Sequence, residues 1–246
     1  MAVAKKQKIK PANLGYAQGT LIVLDGIDGS GKATQVALLE KRLKKDGVLV
    51  KKIDFPRYEK NFFGKLIGEY LSGKFGDFTQ VDPRLASLLY AADRFESSAE
   101  VCSWLDQGFC VIADRYVSAN QIHQGGKIES LKDRKKFLTW LEEMEHGVFA
   151  IPRPDIVIYL DVPFEVSQSR LREKSAKDKK KYLNGRKDVV EENERHLRES
   201  RKSALLLHLS NTNWEKIEAY EQERLLTPQD VHEKVYGLVK KRLQSR

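Results

Sequence analysis

The chain has 246 residues, 41% hydrophobic and 32% charged, with a formal net charge of +9. That length can bury a substantial core and fits one α/β domain, while no apolar stretch approaches the ~20 residues a membrane span needs. Its two cysteines, Cys102 and Cys110, have no metal-type spacing, and Cys110 in its apolar run reads as a buried free thiol, so a reducing cytoplasm is the expected location.

The charge is unevenly placed. Residues 1–19 carry four lysines and no acids, and residues 170–187 carry nine basic and two acidic side chains. The remainder is slightly acidic, which argues against a basic nucleic-acid-binding surface. The first segment reads as a solvated, disordered arm, and no apolar run follows Met1–Pro11 to make a secretory signal.

From residue 20 onward short apolar runs alternate with longer amphipathic ones. Strands are expected at 20–25, 48–54, 109–113, 155–161 and 214–220. Helices are expected at 31–46, 82–107, 130–146, 163–174, 188–209 and 228–243. This alternation predicts a mostly parallel sheet covered by helices. Thr227-Pro228 supplies an N-cap and first residue for the last helix.

Between the first strand and helix stands Gly26-Ile27-Asp28-Gly29-Ser30-Gly31-Lys32. A strand, glycine-rich turn, lysine and helix wrap backbone N–H groups round a polyphosphate, and the helix N-terminus adds partial positive charge. The chain is therefore expected to bind a nucleoside triphosphate. Ala33 stands where Ser or Thr normally meets magnesium, and Thr34 follows it.

Ligands of open parallel sheets sit beyond the carboxyl ends of the strands. The second strand ends in Asp54-Phe55-Pro56-Arg57-Tyr58, which could hold Arg57 towards an anion. The third ends in Asp114-Arg115-Tyr116, an acid–base pair leaving a buried strand. Alone, either arginine could be a surface ion pair; convergence beside a phosphate loop is what favours a site. Tyr90 and Arg94 share a helix face, able to stack on a base and bond its edge. The alternative there is a core tyrosine beside a solvated arginine. Asn120, His123 and Gln124 fall at i, i+3 and i+4, and asparagine suits the N3–H and carbonyl edge of a pyrimidine. His123 has no ligand-type neighbours in sequence and reads as a pocket residue or an exposed histidine. The basic stretch 170–187 reads as a solvated charge run or as a mobile lid that brings cations to a moving phosphoryl group. The phosphate loop has no arginine of its own, which favours the lid.

At these residues the chain resembles the thymidylate kinases, P-loop enzymes that phosphorylate dTMP with ATP. The resemblance runs from about Thr20 onward and rests on five stretches. These are Leu24–Lys32, Phe55-Pro56-Arg57-Tyr58, Ala91-Ala92-Asp93-Arg94, Asp114-Arg115-Tyr116 with Asn120, and Pro154-Asp155. It implies a P-loop NTPase fold, three layers α/β/α, with a five-stranded parallel sheet and a mobile basic lid. It also implies ATP held by residues 26–34, with Lys32 on the β- and γ-phosphates. Asp28 would lie near the acceptor's 3′-hydroxyl and phosphate and, with Glu191, position Mg²⁺. Phe55, Arg57, Tyr58 and Arg115 would hold the acceptor. Tyr90 would stack on thymine, Arg94 and Asn120 would read its edge, and Asp114 would orient Arg115 or the metal's water shell. His123, with Gln124, falls where many relatives place Tyr against the sugar 2′ position. Arg172 or Arg186 would supply the lid cation, Asp188 and Glu191 resemble a D-x-x-E pair after the lid, and adenine contacts fall near Tyr220–Gln222. A homodimer through the face of 82–107 is implied, with neither nucleic acid nor membrane as partner.

Competing readings are a kinase of another nucleoside monophosphate, or a nucleotide-binding protein weakened in catalysis at Ala33. A third is nucleic-acid binding through the basic segments, which predicts salt-sensitive DNA affinity lost with residues 1–19.

Overall fold

The computed structural model describes residues 19–177, 194–221 and 224–245. The basic arm up to residue 18 lies outside them. So do residues 178–187 of the expected lid with Arg186, the pair Asp188 and Glu191, and Gln222.

Five strands form one parallel sheet: β1 (Thr20–Asp25), β2 (Val50–Asp54), β3 (Cys110–Asp114), β4 (Ile156–Asp161) and β5 (Trp214–Glu218), ordered β2-β3-β1-β4-β5. The inner strands β1 and β4 are buried along their whole length, whereas the edge strands β2 and β5 carry exposed or half-buried charges. That distribution follows from layers on both faces and blunts the sheet edges against further pairing.

Alternate side chains of one strand enter opposite layers. Ile22 and Leu24 pack with Val36, Leu39 and Leu43 of α1 (Lys32–Lys45) and with Val235 and Val239 of α9 (Pro228–Gln244). Leu21 and Val23 pack on the other face. Their neighbours there are Val101 of α4 (Ser98–Asp106), Ile122 of α5 (Val117–Gly126) and Ala204 of α8 (Glu194–Ser210). Each fully buried Leu, Ile or Val contributes about 1.5–3 kcal/mol, so these two layers fix where the strand ends lie.

Local signals set the helix boundaries. Asp82 caps α3 (Pro83–Glu96) by accepting from the Arg84 and Leu85 amides, and Ser130 caps α6 (Leu131–Glu142). Thr227 and Asp230 form a reciprocal capping box on α9, with Pro228 at its first turn. Arg42, Lys44 and Lys45 occupy the last turn of α1, where the helix dipole favours cations.

Several boundaries differ from expectation. The single helix expected at 82–107 is two, α3 and α4, separated at Ser97. The α-helix expected at 130–146 ends at Glu142 and continues as a π-helical segment, Glu143–Val148. Strand β5 stops at Glu218, and Tyr220–Glu221 pairs instead with Arg224–Leu225 in a separate hairpin, β6–β7. Two helices were not foreseen, α2 (Phe62–Leu71) and α5 as a regular element. The helix α7 (Phe164–Lys177) follows β4. Among the described residues no helix is long and apolar enough to cross a membrane.

Candidate active site

A cavity of about 650 Å³ opens at the carboxyl ends of β1, β2 and β3. Its floor is the glycine loop. Gly29 and Gly31 adopt φ of 79° and 98°, left-handed values that glycine reaches without Cβ strain, and Gly31 turns the chain into α1. Lys32 is buried, and its Nζ donates to the carbonyls of Gly26 (2.8 Å) and Ile27 (3.1 Å), so the ammonium is held inside the loop's curve. Burial, and after it the Arg115 charge, lowers the Lys32 pKa. A polyanion arriving in the loop supplies the charge that this site lacks.

Asp25, at the end of β1, anchors the loop to α5. Its carboxylate accepts from the Gly26 amide at 2.8 Å and from Ser118 Oγ at 2.6 Å. Burial raises its pKa, with Arg115 and Lys32 opposing. Sequence reasoning gave Asp25 no role, because its partner hydroxyl lies 93 residues away.

Arg115 follows β3 with φ of 65°, an uncommon conformation for a non-glycine residue, fixed by its amide bond to Leu24 O at 3.0 Å. The guanidinium pairs with Asp28. Asp114 lines the same cavity, and burial raises its pKa. Asp54 completes the acidic rim.

Deeper in, the cavity is built from α3 and α5. Arg94 is buried and makes two 2.6 Å bonds to Glu145, and a 3.2 Å bond to Tyr116 O. Asn120 Nδ2 donates to Ser87 O (3.1 Å) and Glu145 Oε1 (2.8 Å). Both amide hydrogens are then engaged, so Asn120 offers the cavity an acceptor, beside the remaining N–H groups of Arg94. Glu145 sits on the π-helical segment and was missed from sequence. Tyr90, Tyr58, Phe55 and Phe78 surround these polar groups, with the Tyr90 and Phe78 rings 5.9 Å apart. His123 and Gln124 face the cavity from α5; His123 Nε2, Gln124 Oε1 and, in the loop, Ser30 Oγ are buried without protein partners. Unsatisfied polar atoms gathered in one cavity suit a polar ligand.

Lys127 also lines the cavity and was missed. It donates to Phe78 O (3.3 Å) and Val81 O (3.1 Å), tying the turn before α3 over the pocket, and burial lowers its pKa to about 8. A further apolar lining comes from Ala219, Leu226, Pro228 and Val231, between β5 and α9.

Two expectations are displaced. Arg57 does not line the cavity; its guanidinium bonds Ser97 Oγ (2.9 Å) and Glu100 (2.7 Å), while its amide donates to Asp93 (3.0 Å). Arg172 is exposed and also stays off the cavity. Arg170, two residues earlier, lines it and reaches Gly29 O at 3.4 Å. Residues 167, 170 and 171 share the face of α7 that meets the loop, and 172 falls on the other side. Tyr220 is exposed, and its neighbour Ala219 reaches the cavity instead.

Ala33 and Thr34 both line the loop end of the cavity. Among the described residues no group of three or more His, Cys, Asp or Glu could hold a metal by itself. Asp28 and Asp114 suit Mg²⁺ in another way, since that ion is commonly held by one or two carboxylates, water and the phosphates it accompanies.

A five-stranded parallel sheet with a G-x4-G-K loop after its central strand, and a cavity that runs on from that loop between α3 and α5, define a P-loop NTPase fold. The thymidylate kinase family profile matches residues 24–235. A probable thymidylate kinase of Thermococcus gammatolerans is 30% identical over 237 residues, 92% of this chain and 99% of its own. One of Pyrobaculum aerophilum is 31% identical over 172 residues, 69% of this chain and 79% of its own. The solved thymidylate kinase of Candida albicans shares the fold with a TM-score of 0.70 at 23% identity, covering 91% of this chain and 92% of that one. The chain belongs to the thymidylate kinase family.

Proposed function

We propose that the chain transfers the γ-phosphoryl group of ATP to dTMP, with Mg²⁺, in the cytoplasm and as a homodimer. The observation that carries the reading is the single cavity in which the phosphate loop meets a pocket bearing Arg94 and Asn120. Asn120 presenting an acceptor and Arg94 presenting donors complement the N3–H and C4 carbonyl of thymine; cytosine, with an acceptor at N3 and an amine at C4, is mismatched at both positions. Tyr90 stacks on the base, and adenine lies against Ala219, Leu226, Pro228 and Val231.

The acceptor phosphate is an ionised oxygen nucleophile near neutral pH, so no general base is required. Lys32 and the loop amides hold the donor phosphates. Arg115, oriented by Asp28 and Asp114, grips the acceptor phosphate so that its oxygen lines up with the γ-phosphorus. Asp28 and Asp114 would hold Mg²⁺, which would supply neutralisation of the charge that develops during transfer. Arg170, on the face of α7 that meets the loop, brings positive charge to the moving group. Catalysis is then positioning and charge neutralisation.

A coupled ADP-release assay with dTMP, dUMP, dCMP and dGMP in parallel tests the reading. Turnover with dTMP well above dCMP and dGMP is expected. ATP binding without ADP release would favour the alternative suggested by Ala33, a nucleotide-binding protein weakened in catalysis.

The exposed stripe Leu85, Leu88 and Phe95 on α3, 62%, 44% and 51% accessible, supports self-association through that helix. These residues lie within a quarter turn of one another.

A further inference from the structure

Gln35 lies one turn into α1 beyond the phosphate loop, its backbone N–H donating to Gly31 O at 3.1 Å, and it is 3% exposed. Its side chain crosses to the neighbouring helix, where Nε2 donates at 2.8 Å to the carbonyl of Pro228, the first residue of α9. A backbone carbonyl can only accept, so the nitrogen of the amide is the atom that meets Pro228, and the orientation of the group is settled. Pro228 is held in turn by the capping box of Thr227 and Asp230. The other end of the amide, Oε1, is buried and has no protein partner, and Gln35 lines the cavity. It is a fixed acceptor that lacks a donor.

The surroundings narrow what that donor is. Ala33 and Thr34 line the loop end of the cavity, and Ala219, Leu226, Pro228 and Val231 line the stretch between β5 and α9. Gln35 joins the two sets, following Thr34 in the chain and bonding Pro228. The four residues of the second set carry no hydrogen-bonding group on their side chains, so they can enclose the faces of a purine without reading its edge. Adenine has acceptors at its ring nitrogens and a single donor group, the 6-amine. Guanine carries a carbonyl oxygen at that place. A buried acceptor is satisfied by an amine and left unpaired, against a second lone pair, by a carbonyl.

We propose that Gln35 Oε1 accepts a hydrogen bond from the 6-amino group of the phosphoryl donor's adenine, so that Gln35 is the side chain that selects ATP over GTP. This rests on the reading of ATP as the donor and adds to it the residue that reads the base. The bond to Pro228 sets the amide in place before the nucleotide arrives, which lets one neutral hydrogen bond discriminate.

The test measures, by calorimetric titration of the full chain, the affinities for ATP, for purine riboside triphosphate (ATP without its 6-amine) and for GTP. The same three are measured in Gln35→Met, which keeps the length of the side chain and removes both amide atoms. In the unaltered chain ATP should bind about tenfold more tightly than purine riboside triphosphate, the size of one lost hydrogen bond, and GTP more weakly than either. In Gln35→Met the ratio of ATP to purine riboside triphosphate should fall to about one; the ratio is taken within one protein, so loss of the Pro228 bond cancels from it. Proton–nitrogen NMR of the unaltered chain should show the Gln35 side-chain amide shifting with ATP and not with purine riboside triphosphate. Equal affinity of the unaltered chain for ATP and either other nucleotide overturns the inference, and so does a ratio preserved in Gln35→Met. Should that variant not fold, an amide signal that answers both nucleotides alike overturns it. The expected ratios without ADP release on adding dTMP would leave the inference standing and remove the kinase reading. Failure of the unaltered chain to bind ATP removes both.

Discussion

Arg94 and Glu145 form a fork-to-fork ion pair inside the protein, Nε to Oε2 and Nη2 to Oε1, both at 2.6 Å and both residues almost wholly buried. The same carboxylate holds Asn120. One residue on a π-helical turn thus holds both of the side chains proposed to read the base. Glu145→Ala leaves a buried arginine unpaired and should destabilise the chain by about 3–5 kcal/mol. In the fraction that remains folded, KM for dTMP should rise more than kcat falls, and Glu145→Gln should be milder in both. Denaturant unfolding and steady-state kinetics check this; an unchanged KM in Glu145→Ala would refute the positioning role.

Lys32→Ala and Arg115→Ala should each lower kcat about 10²–10³-fold, the cost of removing one preorganised donor to developing charge. Lys32→Ala should weaken ATP binding, whereas Arg115→Ala should weaken dTMP binding and spare ATP. Calorimetric titration with each nucleotide separates the two, and near-normal turnover in either variant would sink the assigned role.

Acid should unfold the protein partly through two stacked imidazoles. The rings of His123 and His196 are 5.7 Å apart. Burial, and after it Lys127, lowers the His196 pKa to about 4, and His123 is shifted the same way by burial and Arg115. Unfolded, both groups bind protons near pH 6.5, so the unfolded state takes up more protons than the folded one as pH drops. Their contribution is complete above pH 6.5 and is lost progressively from there towards pH 4. Chemical denaturation between pH 7.5 and 4.5 should show this decline, shallower in His196→Gln. An identical slope in the variant would rule His196 out as a source.

Leu85→Glu with Leu88→Glu should give a monomer by sedimentation velocity while melting within a few degrees of the unaltered chain, because both side chains already face solvent. A monomeric unaltered chain would refute the interface.

The sheet was legible because its strands are apolar runs bounded by turns, and the phosphate loop because its glycines and lysine stand at fixed spacing. Helices α2 and α5 were not. The first contains Gly64 and Gly68. The second buries Ser118, Asn120, His123 and Gln124 beside Val117 and Ile122, so its inward face is largely polar and no regular apolar period marks it. Asn120, His123 and Gln124 were nonetheless identifiable from their chemistry. Glu145 was not, since its partner Arg94 is 51 residues distant. Arg57 was placed in the pocket on its motif, but Glu100, on the next layer of helix, draws it away. Helical phase would have favoured Arg170 over Arg172 once the position of Ser167 against the loop was known.

At Gly29 a side chain would collide with the backbone carbonyl of Ser167 on α7. The loop therefore has no room for a cation of its own at that place, because a neighbouring helix already fills it. Arg170 projects from that same helix one turn later. Crowding at one glycine thus leaves Arg170, on the neighbouring helix, as a cation that reaches the loop from outside it.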